Sequence, residues 1–273
     1  MIFMAQNGIS SYQFKNLAAC SGIDHRIFTR NCGHSQPPFA SLNVGMGIGD
    51  SQNNVSENRG IISRLMGSDQ LVFARQVHGC EIAELSRDSE KKGITTAVRD
   101  FSADAMVTDI CGRNLVIQVA DCQAVLLYEP SRRVIANVHC GWRGSVQNII
   151  GRTVAAMERH FGCRPGRILA GIGPSLGPCC AEFINYSKEI PMKFWQYKGL
   201  NQHFDFWSIT RDQLKEAGVA EINIECSGIC TRCHTDDFFS YRAERTTGRF
   251  AAVIGLTEMC SRSVVKGSTL PVA

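Results

Sequence analysis

A single α+β domain with a large mixed β-sheet is the fold class this sequence predicts, on three observations. Short β-branched apolar runs recur at Val116–Ala120, Ala124–Tyr128, Val134–Val138 and Phe250–Leu256, each the length of a buried strand. Three other segments repeat their apolar residues at helical spacing: Asn53–Met66, Ser145–Phe161 and Phe206–Ala217. Strands and helices do not alternate strictly, which argues against an all-parallel βαβ sheet. With 273 residues, 44% apolar and 20% charged, the chain has the composition of a globular domain with a sizeable core.

From the N-terminus, Met1–Ser21 is polar and mixed, either an edge strand or a loose start. Ile23–Arg30 reads as a strand, and Asn31–Pro38 as a loop. Phe39–Asp50 places Gly45, Gly47 and Gly49 at alternate positions without the strand-then-helix setting of a dinucleotide fingerprint. Asn53 or Asn54 is the expected cap of the first helix. Leu71–Val77 and Cys80–Leu85 read as strands separated by His78-Gly79, Arg87–Arg99 as a polar loop, and Ser102–Thr108 as a strand. Gln118–Gly144 reads strand, corner, strand, turn, strand, with Cys122 and His139 at the ends of apolar runs. Arg167–Ile172 and Ala220–Cys226 are further strands.

The net charge of +4 is scattered, with adjacent basic pairs only at Lys91-Lys92 and Arg132-Arg133. Nucleic acid is therefore not an expected partner, whereas small anions such as phosphate are. No apolar run approaches 18 residues, so no membrane span is expected. Thirteen cysteines, an odd number, follow an N-terminus without a signal-peptide pattern. The expectation is a cytoplasmic protein with reduced, mostly buried thiols. Without heptads or an apolar stripe, the expected state is a monomer, with a weak dimer as the alternative.

Chemistry concentrates in His78, Cys122 and His139. Two imidazoles and a thiolate leave the fourth position of tetrahedral zinc open, as catalytic zinc sites do. The plainer alternative is a core histidine and a buried thiol. Without metal, Cys122 and His139 could act as nucleophile and base, with backbone groups near Gly141 or Gly173 as the oxyanion site. The metal reading needs His78 and the dyad does not. Cys226, Cys230 and Cys233, beside His234, look like half a zinc knuckle that needs a distant partner such as Cys179, Cys180 or Cys260. Arg30, Arg75, Arg143 and Arg242 lie near loop or strand ends, where an anionic substrate would need them. Asp121 could orient a histidine ring or cap a turn. Phe238 and Phe239 could stack on a flat ring or fill the core.

These residues belong to motifs that occur in one order: Arg75–Gly79 (RQVHG), Ala103–Thr108 (ADAMVT), Ala120–Cys122 (ADC), Val138–Gly144 (VHCGWRG), Gly171–Ser175 (GIGPS), Phe239–Arg242 (FSYR) and Gly248-Arg249. Phe28–Arg30 and Ser41–Gly45 fit near the start. On these motifs the chain resembles the bacterial laccase-domain-containing family, formerly called polyphenol oxidases and now viewed as purine nucleoside phosphorylases, over residues 25–256. Residues 1–24 are then an N-terminal extension and 257–273 a tail. The resemblance implies a layered α/β sandwich with its sheets between outer helices. It implies zinc on His78, Cys122 and His139, and an active-site arginine at Arg30. Arg143, Arg242, Phe239 and Asn43 are further candidates for substrate or phosphate contacts. The implied reaction is phosphate-dependent cleavage of adenosine, inosine, guanosine and methylthioadenosine to free base and pentose 1-phosphate, with adenosine deamination beside it.

The chain departs from the family pattern in Ile27–Arg30, which reads IFTR without the serine of an FSTR-like segment, and at Asn31–His34, where a glycine-rich stretch is usual. Cys140 stands where alanine is common, as an inert core residue or a competing ligand. Copper suits the same ligands, so a polyphenol oxidase is the alternative enzyme. Its several copper centres, however, need more histidines than the seven present. A non-enzymatic envelope or cell-division accessory protein is the third reading.

Overall fold

The computed structural model describes residues 1–68, 70–87 and 102–257. All but the first residue of the expected Arg87–Arg99 loop lies outside them, as do Cys260 and the tail beyond residue 257. In chain order the strands are β1 (Ile2–Gln6), β2 (Ile9–Gln13), β3 (Ile23–Phe28), β4 (Gln70–Phe73), β5 (Ile82–Leu85), β6 (Ala105–Thr108), β7 (Arg113–Val119), β8 (Gln123–Glu129), β9 (Val134–Cys140), β10 (Leu169–Ile172), β11 (Ile224–Cys226) and β12 (Phe250–Leu256). They form two six-stranded sheets, ordered β1-β2-β3-β12-β7-β4 and β11-β10-β8-β9-β6-β5. Both are mixed: β4–β7, β5–β6 and β10–β11 pair parallel and the other neighbours antiparallel.

The sheets lie face to face with helices outside, giving a layered mixed α/β sandwich. Pleat alternation divides each central strand between two cores. Phe250, Ala252 and Ile254 of β12, Leu115, Ile117 and Val119 of β7, Ala124, Leu126 and Tyr128 of β8, and Ile135 of β9 share the core between the sheets. The intervening residues face outward. Val116, Ala251 and Val253 meet Ile62 of the helix Gln52–Leu65. Val125, Leu127, Ala136 and Val138 meet Ile150, Val154 and Met157 of the helix Ile149–Phe161 and Leu214 of the helix Phe206–Glu216. Burial on both faces is why these strands read as continuous apolar runs rather than alternating ones. Asn137, buried between the sheets, donates from Nδ2 to the carbonyls of Leu115 and Ala252, each 2.9 Å away.

Two local expectations are revised, and of the two readings of Met1–Ser21 the edge strand is the one observed. Ser51, not Asn53 or Asn54, precedes the first helix, and its side chain makes no capping bond. The single helix expected over Ser145–Phe161 is two, Trp142–Val146 and Ile149–Phe161. Asn148 breaks it by adopting a left-handed φ of 57° and caps the second helix, its Oδ1 accepting from Gly151 N at 3.1 Å. The first residues are structured: β1 and β2 form a hairpin that extends the first sheet, and Phe14 and Leu17 are fully buried.

His25 locks this N-terminal segment in place. It is 1% exposed, and its Nε2 accepts the Phe14 N–H at 2.8 Å, which requires a neutral ring. Burial, with Arg26 alongside, lowers its pKa to about 4. A histidine depressed in the folded state contributes stability that is full above about 6.5 and is lost as pH falls toward 4. Urea titrations at pH 7 and 4.5 are expected to show an acid loss of about 2 kcal/mol from this group, and that component should vanish in His25→Gln. An unchanged pH slope in the variant would contradict the assignment.

Candidate active site

Two crossovers between the sheets build the site at one rim of the sandwich. The chain leaves β4 in the first sheet and enters β5 in the second through the loop that carries His78. It leaves β7 in the first sheet and enters β8 in the second through Ala120-Asp121-Cys122. Cys122 continues the inward-facing series Ala124, Leu126, Tyr128, and His139 continues Ile135, Asn137. Ala124 and His139 are direct cross-strand partners, so the two side chains emerge side by side. His78 reaches them from the other sheet.

The three ligand atoms lie within 4.8 Å of one another, with His78 Nε2 3.8 Å from Cys122 Sγ. Around tetrahedral zinc such edges are about 3.3–3.6 Å, so the donors need only a slight contraction. His139 turns its Nδ1 to Asp104 Oδ1 at 2.7 Å, which leaves Nε2 for the metal side. A Cβ on Gly141 would stand 3.1 Å from both Cys122 Sγ and His78 Cδ2, so glycine keeps the approach open.

Asp104 is the residue that sequence reasoning passed over, although it lies within the quoted ADAMVT motif. Fully buried, it also accepts the backbone N–H groups of Val77, His78 and Gly79 at 3.2, 3.0 and 2.7 Å. One carboxylate thus positions both histidines, one through its ring and the other through its backbone. Burial would raise its pKa, but the bonds from His139 and Gly79 outweigh that and hold it below the usual carboxylate range. His78 sits at φ 59° and Asp121 at φ 87°, conformations worth about 1–3 kcal/mol of strain each. Asp104 holds the first. Thr231 Oγ1, Ser240 Oγ and Arg242 N hold the second, donating to the Asp121 carboxylate at 2.7, 2.7 and 2.6 Å. Asp121 therefore anchors a loop, and the histidine-orienting role belongs to Asp104.

Burial would raise the Cys122 thiol pKa, yet His139 and His78 bring it down to about 6. His139 is raised to about 9: burial opposes its charge, but Cys122 and Asp104 favour it more strongly. The thiolate form that a metal requires is thus favoured near neutrality. Cys140 points the other way, into the outer core. Its Sγ lies 3.2 Å from Ser145 Oγ, and burial raises its pKa to about 12, so it is a packing residue and not a competing ligand.

An open cavity of about 1320 Å³ covers the three donors. Among the described residues its lining includes six arginines (Arg59, Arg75, Arg143, Arg242, Arg245 and Arg249) and a single carboxylate, that of Asp121. Trp142, Phe183 and Tyr241 supply aromatic wall. The sequence-selected Arg30 is not in this lining. Its guanidinium lies 4.4 Å from the Phe239 ring centroid and donates to Ala40 O, Thr235 O and Glu244 Oε1. Phe239 is fully buried beneath it. Asn43, also fully buried, bonds Asp50, Gly45 and the Arg249 N–H. These three residues brace the wall from behind, whereas Arg75, Arg143 and Arg242 face the cavity.

This sandwich and its histidine–cysteine–histidine rim define a class. The model of the multi-copper polyphenol oxidoreductase laccase family matches residues 24–257, and the chain belongs to that family. Among its relatives, a purine nucleoside phosphorylase YlmD from Geobacillus stearothermophilus is 33% identical over 250 residues, covering 85% of this chain and 89% of the relative. A purine nucleoside phosphorylase YfiH from Escherichia coli is 32% identical over 256 residues, covering 89% and 96%. The crystal structure of YlmD from Geobacillus stearothermophilus superposes with a TM-score of 0.81 at 30% identity, over 94% of this chain and 99% of that one.

Proposed function

We propose that this chain is a purine nucleoside phosphorylase with zinc held by His78, Cys122 and His139. In this reading it cleaves adenosine, inosine, guanosine and methylthioadenosine with phosphate to the free base and pentose 1-phosphate, and also deaminates adenosine. The observation that carries the reading is the meeting of these donors beneath a cavity rich in arginine and aromatic side chains. When bound, zinc would supply a Lewis acid and an acidified water, the groups that loss of ammonia from adenosine calls for.

The protein's own side chains account for the remaining requirements. Phosphorolysis needs a dianion brought to the anomeric carbon and stripped of water. Guanidinium forks do this through paired charged hydrogen bonds. Arg75 and Arg143 are exposed at the cavity wall and take this role in place of Arg30. Arg242 contributes charge while its Nη1 donates to Cys180 O and Glu182 O. Trp142 and Phe183, edge to face with ring centroids 6.1 Å apart, offer the base an aromatic surface. Asp104 holds His139 in one tautomer and orientation throughout.

A polyphenol oxidase finds less support. All seven histidines lie among the described residues, and only His78 and His139 come together in a candidate metal group. The test supplies adenosine with and without phosphate to protein of known zinc content. Phosphate-dependent adenine release is expected, with inosine forming slowly in its absence. Zinc-loaded protein inert to purine nucleosides would sink the reading. Arg143→Ala is expected to raise KM for phosphate about tenfold with a smaller change in KM for nucleoside, since one charged hydrogen bond is worth about 1.5–3 kcal/mol.

A further inference from the structure

We propose a second metal site: Cys179, Cys180, Cys230 and Cys233 hold a structural zinc ion that braces the active-site wall. Their four Sγ atoms lie within 4.8 Å of one another. Cys233 Sγ is 3.7 Å from Cys179 Sγ and 3.6 Å from Cys180 Sγ. A disulfide would bring sulfurs to about 2.05 Å. The edge of a tetrahedral zinc tetrathiolate is about 3.8 Å, from zinc–sulfur bonds of about 2.3 Å. The cluster has the spacing of the second arrangement, and all four residues are free cysteines.

The backbone around the thiols suits the same ligand. Cys230-Thr231-Arg232-Cys233 is a Cys-x-x-Cys turn closed by the Cys233 N–H on Cys230 O at 3.1 Å. The Gly177 N–H donates to Cys230 Sγ at 3.3 Å, the kind of bond that steadies a metal thiolate. His234 lies outside the group, with its Nδ1 3.0 Å from Cys230 O. Cys226, the third cysteine of the sequence block, ends β11 and stays outside the group. Cys180 and Cys230 are buried while Cys179 and Cys233 are exposed, so an ion could enter from solvent without opening the core. Four thiolates in a tetrahedron select zinc or iron. Zinc is the ion proposed, and its binding releases only thiol protons.

The position suggests what the ion does. The two loops it would join touch elsewhere through an isolated parallel bridge between Ser175 and Cys230. Leu176 and Ala181, on either side of the cysteine pair, line the cavity. Cys180 O accepts from Arg242 Nη1 at 3.3 Å, and Thr231, inside the Cys-x-x-Cys turn, holds the Asp121 carboxylate beside Cys122. Zinc here would cross-link two irregular loops of the wall.

The test counts metal in protein purified anaerobically without chelator, as wild type, His78→Ala, Cys233→Ser and Cys179→Ser. Two zinc ions per wild-type chain are expected, and one in each variant. X-ray absorption of the ion left in His78→Ala should show an all-sulfur shell at about 2.3 Å. Both serine variants should unfold several degrees lower than wild type, and Cys179→Ser, at an exposed position, serves where Cys233→Ser does not fold. A metal-free His78→Ala protein, iron in place of zinc, or a disulfide among the four by mass spectrometry would overturn the proposal. Loss of the mixed nitrogen–sulfur site alone would count against the phosphorylase reading and leave this one standing.

Discussion

Cys122→Ala is expected to lower phosphorolysis by about three orders of magnitude, the worth of several kcal/mol of charge stabilisation at a metal. The substitution removes the one thiolate of the trio, and with it the soft donor that suits zinc. His78→Ala should fall as far, because the ligands act as one unit, and the double variant should be no worse than either single one. Zinc content measured on the same samples should drop from the active-site complement in all three. The pair also separates the phosphorylase from the metal-free rival. A nucleophilic Cys122 with His139 as base would survive loss of His78, since the strong His139 contact runs to Asp104 rather than to His78. Turnover kept by His78→Ala and lost in Cys122→Ala would therefore move the chemistry to a thiol–imidazole pair.

The trio could be read from the sequence because strands deliver side chains by parity. Cys122 lies two residues before Ala124, and His139 follows the five-residue run Val134–Val138, so both fall on one face once β8 pairs with β9. His78 needed more, because it sits on a crossover between sheets and not at a strand end. The sequence puts it after a strand over Leu71–Val77, whereas β4 ends at Phe73, so the residue is right and the element carrying it is not. The arginines show the limit of that kind of reading. Arg30 lies in a strong motif, and the structure gives it Glu244 and two carbonyls as partners. Arg245 and Arg249 line the cavity from a segment with no periodic signal. A motif preserves residues that brace a site as firmly as residues that touch a ligand. Only the direction of the side chain distinguishes them, and in loops nothing in the spacing reports it. The thiol cluster was half legible for the same reason: Cys230 and Cys233 announce a turn, while Cys179 and Cys180 join them through loop packing about fifty residues away in sequence.

Asp104→Asn is expected to weaken zinc binding about 10–100-fold, as loss of a residue that orients a metal ligand does. The carboxylate accepts four hydrogen bonds, three from backbone N–H groups and one from His139. An amide of the same shape turns an NH₂ group toward at least one of those donors. Either the His139 ring loses its partner or the His78 backbone, at φ 59°, loses its restraint. The effect reaches stability with a definite sign. A carboxyl held below its unfolded pKa contributes stability that is full above the ordinary carboxylate range and is lost as pH falls through the folded value. The asparagine variant should therefore be less stable than wild type at pH 7, and the gap should close as both are acidified. Chelator competition for zinc and urea midpoints across pH 3–7 read the two effects separately. Wild-type zinc affinity in Asp104→Asn would show that the Asp104–His139 contact is packing alone. Weakened affinity rescued by Asp104→Glu, which restores the charge, would show that the histidine is held by charge and direction together.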